Sequence, residues 1–117
     1  GKTLEGVVQD NHVQNKVSVS GLSTKWHHVA LVFNGESGYL KLYLDGKLVA
    51  DKTGINYVGK EVSAHPDNPG LGKVNSQDAF DNRSNNYYLK GSLDDLRVYD
   101  RALIESDVSA LYNLGAN

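Results

Sequence analysis

Residues 26–50 read WHHVALVFNGESGYLKLYLDGKLVA, and this stretch decides the fold. Two runs, 39–44 (YLKLYL) and 47–50 (KLVA), flank Asp45-Gly46. An Asp-Gly pair between such runs is the strongest short hairpin signal, because a type I′ turn needs φ > 0 at both central residues. Upstream, 26–33 (WHHVALVF) is the most apolar segment of the chain. Its length, its β-branched and aromatic content and the bounding Ser23-Thr24 and Asn34-Gly35 predict a strand. Apolar residues on both parities predict burial on both faces. A looser turn over 34–38 then makes three antiparallel strands in succession.

Working outward, residues 3–10 (TLEGVVQD) and 13–20 (VQNKVSVS) read as two further strands joined by a tight turn at Asn11-His12. The second alternates, with Val13, Val17 and Val19 on one parity and Gln14, Lys16 and Ser18 on the other. Residues 61–86 carry turn chemistry instead, from His65-Pro66-Asp67 to Asn85-Asn86, and long loops in compact domains are functional or disordered. After Gly91, residues 92–99 (SLDDLRVY) read as a closing strand. Ser106 reads as a helix N-cap, followed by Val108, Leu111 and Tyr112 at helical spacing and Gly115 as a stop. The expectation is about seven strands and one short C-terminal helix.

The chain has 117 residues, a formal net charge of -2, 22% charged and 39% apolar residues, and no cysteine. These values suit one soluble globular domain, 1–117. No cluster of Lys and Arg offers a phosphate-tracking surface, so nucleic acid is not an expected partner. Without cysteine there is no disulfide, thiolate chemistry or zinc–thiolate site. No run approaches the ~20 apolar residues of a membrane span, so membrane insertion is not expected, and no leader pattern is visible. The chain opens at Gly1-Lys2 and contains no methionine, which reads as a piece of something longer.

Three pieces resemble one family. WHHVALVF at 26–33 is similar to the tryptophan-histidine-valine-alanine strand of laminin-G-like domains. LYLDGKLVA at 42–50 is similar to the hairpin that follows it, and GSLDDLRVYDRALIESDVSALY at 91–112 to the closing strand and terminal helix. The resemblance implies an all-β fold, an antiparallel jelly-roll β-sandwich of the concanavalin A-like, LamG-like type with a short C-terminal helix. It implies a non-catalytic carbohydrate-binding or adhesion module, secreted or on the cell surface, bacterial, with a glycan or cell-surface ligand as partner. The alternative is a structural or protein–protein interaction domain with no small ligand. Such domains begin with several strands before the tryptophan strand, whereas only residues 1–20 precede Trp26 in this way. The chain is therefore expected to be the C-terminal portion of a longer domain, completed by a second chain or by self-association.

Candidate site residues follow from the residues and the resemblance together. Trp26 is read as core packing rather than a sugar-stacking platform, because its strand is so apolar. His27 and His28, adjacent on a strand, point to opposite faces, one packed and hydrogen-bonded and the other at the surface. Asp94 shares the parity of Leu96 and Val98, and a carboxylate on an apolar face needs a partner. The resemblance implies a structural Ca2+ on Asp94; the other reading is a carboxylate that accepts backbone N–H groups or pairs with Arg97 or Arg101. In the long loop, Asp78, Asn82, Arg83, Asn85 and Asn86 are candidate ligand-binding residues, set against a merely solvated loop.

Catalysis is not expected. A retaining glycosidase needs two carboxylates ~5 Å apart, hence same-face neighbours on a strand. Glu5, Glu36, Glu61 and Glu105 are each isolated. Nothing in the sequence brings Ser, His and Asp together, and no Gly-x-Ser-x-Gly elbow occurs.

Overall fold

The structure, a computed structural model, describes residues 3–10, 13–57 and 90–115. The chain divides into two compact units, residues 1–59 with 99–117 and residues 60–98. The first unit holds β1 (Leu4–Asp10), β2 (Val13–Val19), β3 (Val29–Asn34), β4 (Tyr39–Leu44), β5 (Lys47–Lys52) and α1 (Glu105–Gly115). All pairings are antiparallel: β1 with β2 as a two-stranded sheet, and β3-β4-β5 as a three-stranded sheet. The fold is all-β with one short C-terminal helix, as the sequence implies. Among the described residues no helix is long and apolar enough to cross a membrane.

Alternation explains the layering. On β4, Leu40 and Leu42 face one way and Tyr39 and Tyr43 the other, and each side finds a cover. On the first side, Leu40, Leu42, Val17 and Ile55 form a cluster with Leu4, Val8, Val19, Phe33 and Ala50 packed against it. The inner face of the β1-β2 hairpin thus lies on the three-stranded sheet. Gly6 belongs to that inner face, and any Cβ there would run into Leu31. On the second side, Tyr43 joins Val32, Leu103 and Val108, with Ala30, Tyr39, Ala102 and Leu111 around them. The sheet is therefore covered by the hairpin on one face and by α1 with its approach segment on the other. Exposure falls to 0% at Leu40 and Val108 and 2% at Tyr43. Each buried side chain of this size contributes about 1.5–3 kcal/mol of transfer free energy.

Two turns set the register of this sheet. At one end Asn34 O accepts the Gly38 N–H at 2.8 Å, and Asn34 Oδ1 accepts that of Ser37 at 2.9 Å. At the other end Asp45 and Gly46 have φ of 51° and 80°, as a type I′ turn requires. β5 carries one extra residue opposite β4: Leu42 faces Ala50 and Tyr43 faces Leu48, with Val49 bulged between.

Three expectations are corrected. The strand read over 26–33 begins only at Val29, which pairs with Leu44 at the end of β4, so residues 26–28 have no β4 residue left to pair with. The helix starts at Glu105, and Ser106 lies inside it. Its entry is held by Asp107, whose carboxylate accepts the Ile104 N–H at 3.2 Å and binds Arg101 at 3.2 Å, the reach-back half of a capping box. The closing strand over 92–99 is not formed among the described residues. Asp95 sits at φ 55° with its carboxylate held by Arg97 at 3.0 Å, a local arrangement that interrupts an extended run. The turn at Asn11-His12 and the loop over 61–86 lie outside the described residues.

Replacing Gly46 with Val is expected to lower stability by about 1 kcal/mol or more, because a β-branched residue resists positive φ. A Cβ there would also sit 2.9 Å from the Tyr112 ring. Urea unfolding measures the difference, and an unchanged midpoint would count against the turn.

Candidate functional site

The crossover from β2 to β3, residues 20–28, meets the β4-β5 turn through one carboxylate. Asp45 lies just past the last rung of the ladder, so its backbone N–H donates to His28 O at 2.8 Å. Its side chain then turns back over the crossover. Oδ1 accepts the His28 backbone N–H at 2.9 Å, and Oδ2 accepts His27 Nδ1 at 2.7 Å. On the far side of the ring, His27 Nε2 lies 2.9 Å from Ser23 Oγ. The Lys25 backbone N–H also points to Ser23 Oγ, at 3.4 Å. Ser23, His27 and Asp45 thus form one continuous hydrogen-bonded chain.

The chemistry of the acceptor fixes the proton positions. An ionised carboxylate only accepts, so the proton between His27 and Asp45 belongs to Nδ1. In the neutral ring Nε2 then carries a lone pair and accepts the Ser23 hydroxyl proton. Burial works to raise the Asp45 pKa. The hydrogen bonds from the His27 ring and the His28 backbone, with the charges of both histidines, outweigh it and hold the carboxyl below its ordinary value of 3.8.

The same turn seats the helix. Ser109 Oγ donates to Gly46 O at 3.3 Å, and the Tyr112 ring lies 6.0 Å from the His28 ring at 53°. His28 Nδ1 is buried without a hydrogen-bond partner among the described residues. The two histidines therefore do not divide into one packed and one surface residue: both are half-buried, because each is held by the turn.

Trp26 reverses its expected role. It is 69% exposed, since the ladder starts three residues later and the sheet's two cores are filled by the β4 side chains and their covers. Val29 and Leu31 on β3 are also exposed. The Ser–His–Asp chain was hidden in the sequence, where Asp45 reads as a turn residue. The one local signal is the four-residue spacing of Ser23 and His27.

Of the sequence-derived metal and ligand-binding candidates, only Asp94 lies among the described residues. Asp94 lies in the second unit and is exposed, and with no strand over 92–99 it does not share an apolar strand face with Leu96 and Val98. Arg97 binds Asp95, and Arg101 binds Asp107. Among the described residues no group of three or more His, Asp or Glu side chains is placed to hold a metal ion. Asp78, Asn82, Arg83, Asn85 and Asn86 lie outside the described residues.

Antiparallel sheets, a sandwiched central sheet and a closing helix define a β-sandwich class, and comparison with known proteins places the chain within it. Residues 4–109 match a laminin G family model described as the concanavalin A-like lectin/glucanases superfamily, and the chain belongs to that family. It is similar in structure to an S-layer domain-containing protein from Clostridium thermocellum ATCC 27405, solved over residues 221–444. The TM-score is 0.60 at 23% identity, and the match covers 94% of this chain but 51% of that one. The likeness is one of fold, and the chain spans about half the neighbour's length. No curated protein sequence matches it.

The Asp45 carboxylate is expected to give the fold a measurable acid dependence. A carboxyl held below 3.8 in the folded state stabilises it fully above that value and loses the effect as pH falls through the lowered one. Urea unfolding of the wild type and Asp45→Asn, followed from neutral pH down to about pH 2, should show their difference shrinking toward the acid end. A difference that does not change with pH would mean that the carboxylate charge is not what holds the turn.

Proposed function

We infer that this chain is a glycan-binding or adhesion module of a secreted or surface-displayed bacterial protein, and that it holds its ligand without cleaving glycosidic bonds. The observation that carries the reading is the exposure of Trp26. An indole on the surface presents a flat apolar face with a polar N–H at its edge, suited to a sugar ring that is apolar on one face and hydroxylated at its rim. Ser23, Thr24 and Lys25 stand exposed in the same crossover and supply hydroxyls and an ammonium group. The crossover is anchored by His27 to Asp45, so the platform is ordered before ligand arrives, which lowers the entropic cost of binding. Family membership supports binding of this kind, and the S-layer domain-containing neighbour supports a surface setting. The isolated glutamates supply no carboxylate pair for glycosidase chemistry.

A second reading takes the exposed Val29 and Leu31, next to Trp26 in sequence, as the seat of another chain that completes the sandwich. Sedimentation distinguishes the two: a concentration-independent monomer rejects self-association.

For the glycan reading, the wild type is screened on a glycan array in calcium and in chelator, and the strongest ligand is titrated against Trp26→Ala. The substitution should weaken binding at least about tenfold, in keeping with the cost of losing an aromatic anchor. The melting temperature should stay unchanged, because so exposed a side chain contributes little to the core. A blank array, or equal affinity of the two proteins, would remove Trp26 as the binding platform. The chelator arm shows whether calcium takes part, and parallel alanine variants at Asp78, Asn82, Arg83, Asn85 and Asn86 show whether the long loop does.

A further inference from the structure

We propose that Ser23 is a nucleophilic serine, activated by His27 and Asp45, whose acyl donors are carboxylic esters. The proposal concerns ester carbonyls rather than glycosidic bonds, and it stands or falls independently of glycan binding.

The geometry is that of a nucleophile, a base and a group that orients the base. Ser23 Oγ lies 2.9 Å from His27 Nε2, and His27 Nδ1 lies 2.7 Å from Asp45 Oδ2. Both distances fall within hydrogen-bond reach, the first requirement for a general base. The second is the right tautomer, and the acceptor-only carboxylate imposes it by keeping the proton on Nδ1. The third is a fixed orienting group. Asp45 Oδ1 is tied to the His28 backbone N–H at 2.9 Å, and its backbone sits in a turn clamped by two positive φ angles. Ser23 itself is exposed while His27 and Asp45 are half-buried, so the attacking oxygen is open to solutes and the base is held behind it.

The steps balance with water as the only co-reactant. Ser23 Oγ attacks the ester carbonyl carbon and its proton passes to His27 Nε2. The carbon–oxygen bond to the alcohol breaks, and the alcohol leaves with that proton, so the acyl group remains on Oγ. Water then attacks the acyl carbon and gives a proton to Nε2. The carboxylic acid departs as Oγ recovers that proton. Throughout, the Nδ1 proton stays on the ring and the Asp45 carboxylate stabilises the imidazolium that forms in each step. The Lys25 N–H donates to Ser23 Oγ from 3.4 Å and helps to hold the attacking oxygen in place beside the ring. Esters rather than amides are the acyl donors, because an alcohol leaves the acyl carbon more readily than an amine and asks less stabilisation of the site.

The competing explanation is a hydrogen-bond chain that only pins the crossover to the turn. Such a pin needs donors and acceptors but no reactive oxygen, so reactivity separates the two. The full chain is treated with a fluorophosphonate probe and, separately, with p-nitrophenyl acetate, and the mass and site of any adduct are read by mass spectrometry. The proposal expects one adduct on Ser23 in the native protein, and none in Ser23→Ala or in the heat-unfolded wild type. In Asp45→Asn the turn is kept, because Asn tolerates positive φ. With its oxygen still on the His28 N–H, the Asn amide donates to Nδ1 and forces the ring proton onto Nε2. Labelling should then slow about 100-fold, the usual contribution of a positioned base. If Asp45→Asn does not fold by circular dichroism, His27→Gln replaces it, with the same loss expected. No adduct on Ser23, or labelling of the folded variant within a few-fold of wild type, overturns the proposal and leaves the pin.

Discussion

The turn at Asp45-Gly46 is the constraint on which most of this molecule depends. Positive φ at two consecutive residues joins β4 to β5 in a twist that matches their own. Because the turn falls where the β3-β4 ladder ends, its groups are free of ladder duties. The Asp45 amide and carboxylate hold the crossover through His28 and His27, while Gly46 O receives the helix through Ser109. Gly46 itself lies under Tyr112, where any side chain would collide with the ring. One dipeptide therefore links the sheet, the incoming loop and the terminal helix. Losing its geometry would disturb three contacts that are far apart in sequence.

Much of the sheet was legible from the chain because its signals are local. Asp-Gly demands a turn type, YLKLYL alternates with the pleat, and VQNKVSV does the same, so these strands fall where their patterns put them. The failures share one cause. A strand is bounded by its partner, and no local pattern records where the partner stops. WHHVALVF is the most apolar run of the chain, yet only the part opposite β4 pairs, and Trp26 is left outside. SLDDLRVY has suitable residues, but Asp95 adopts a left-handed conformation that its sequence does not announce. The Ser23–His27–Asp45 chain was invisible for a related reason. It is closed by a hairpin that returns Asp45 to a loop eighteen residues earlier, and the tertiary contact leaves no periodic trace.

The crossover concentrates the chemistry of the described residues. An anchor at its C-terminal end holds the serine through His27 and the backbone from which the indole projects, although the two carry different proposals. Rigidity of this kind is characteristic of recognition surfaces built on loops, where the scaffold supplies precision and the loop supplies functional groups. The sheet beneath gives that scaffold by being covered on both faces, so neither the hairpin nor the helix can shift without opening a core.

The bulge at Val49 has a consequence beyond the twist it adds. Among the described residues β5 stands at one end of the β3-β4-β5 order, and a regular strand in that position offers its amides and carbonyls to any neighbouring chain. Here the extra residue breaks the spacing of those groups, and Lys47, Asp51 and Lys52 stand exposed along the same strand. A like edge approaching it would meet a mismatched ladder and a row of fixed charges. This side of the module is thereby guarded against strand-to-strand sticking, so copies crowded side by side can stay separate particles rather than seed a fibril.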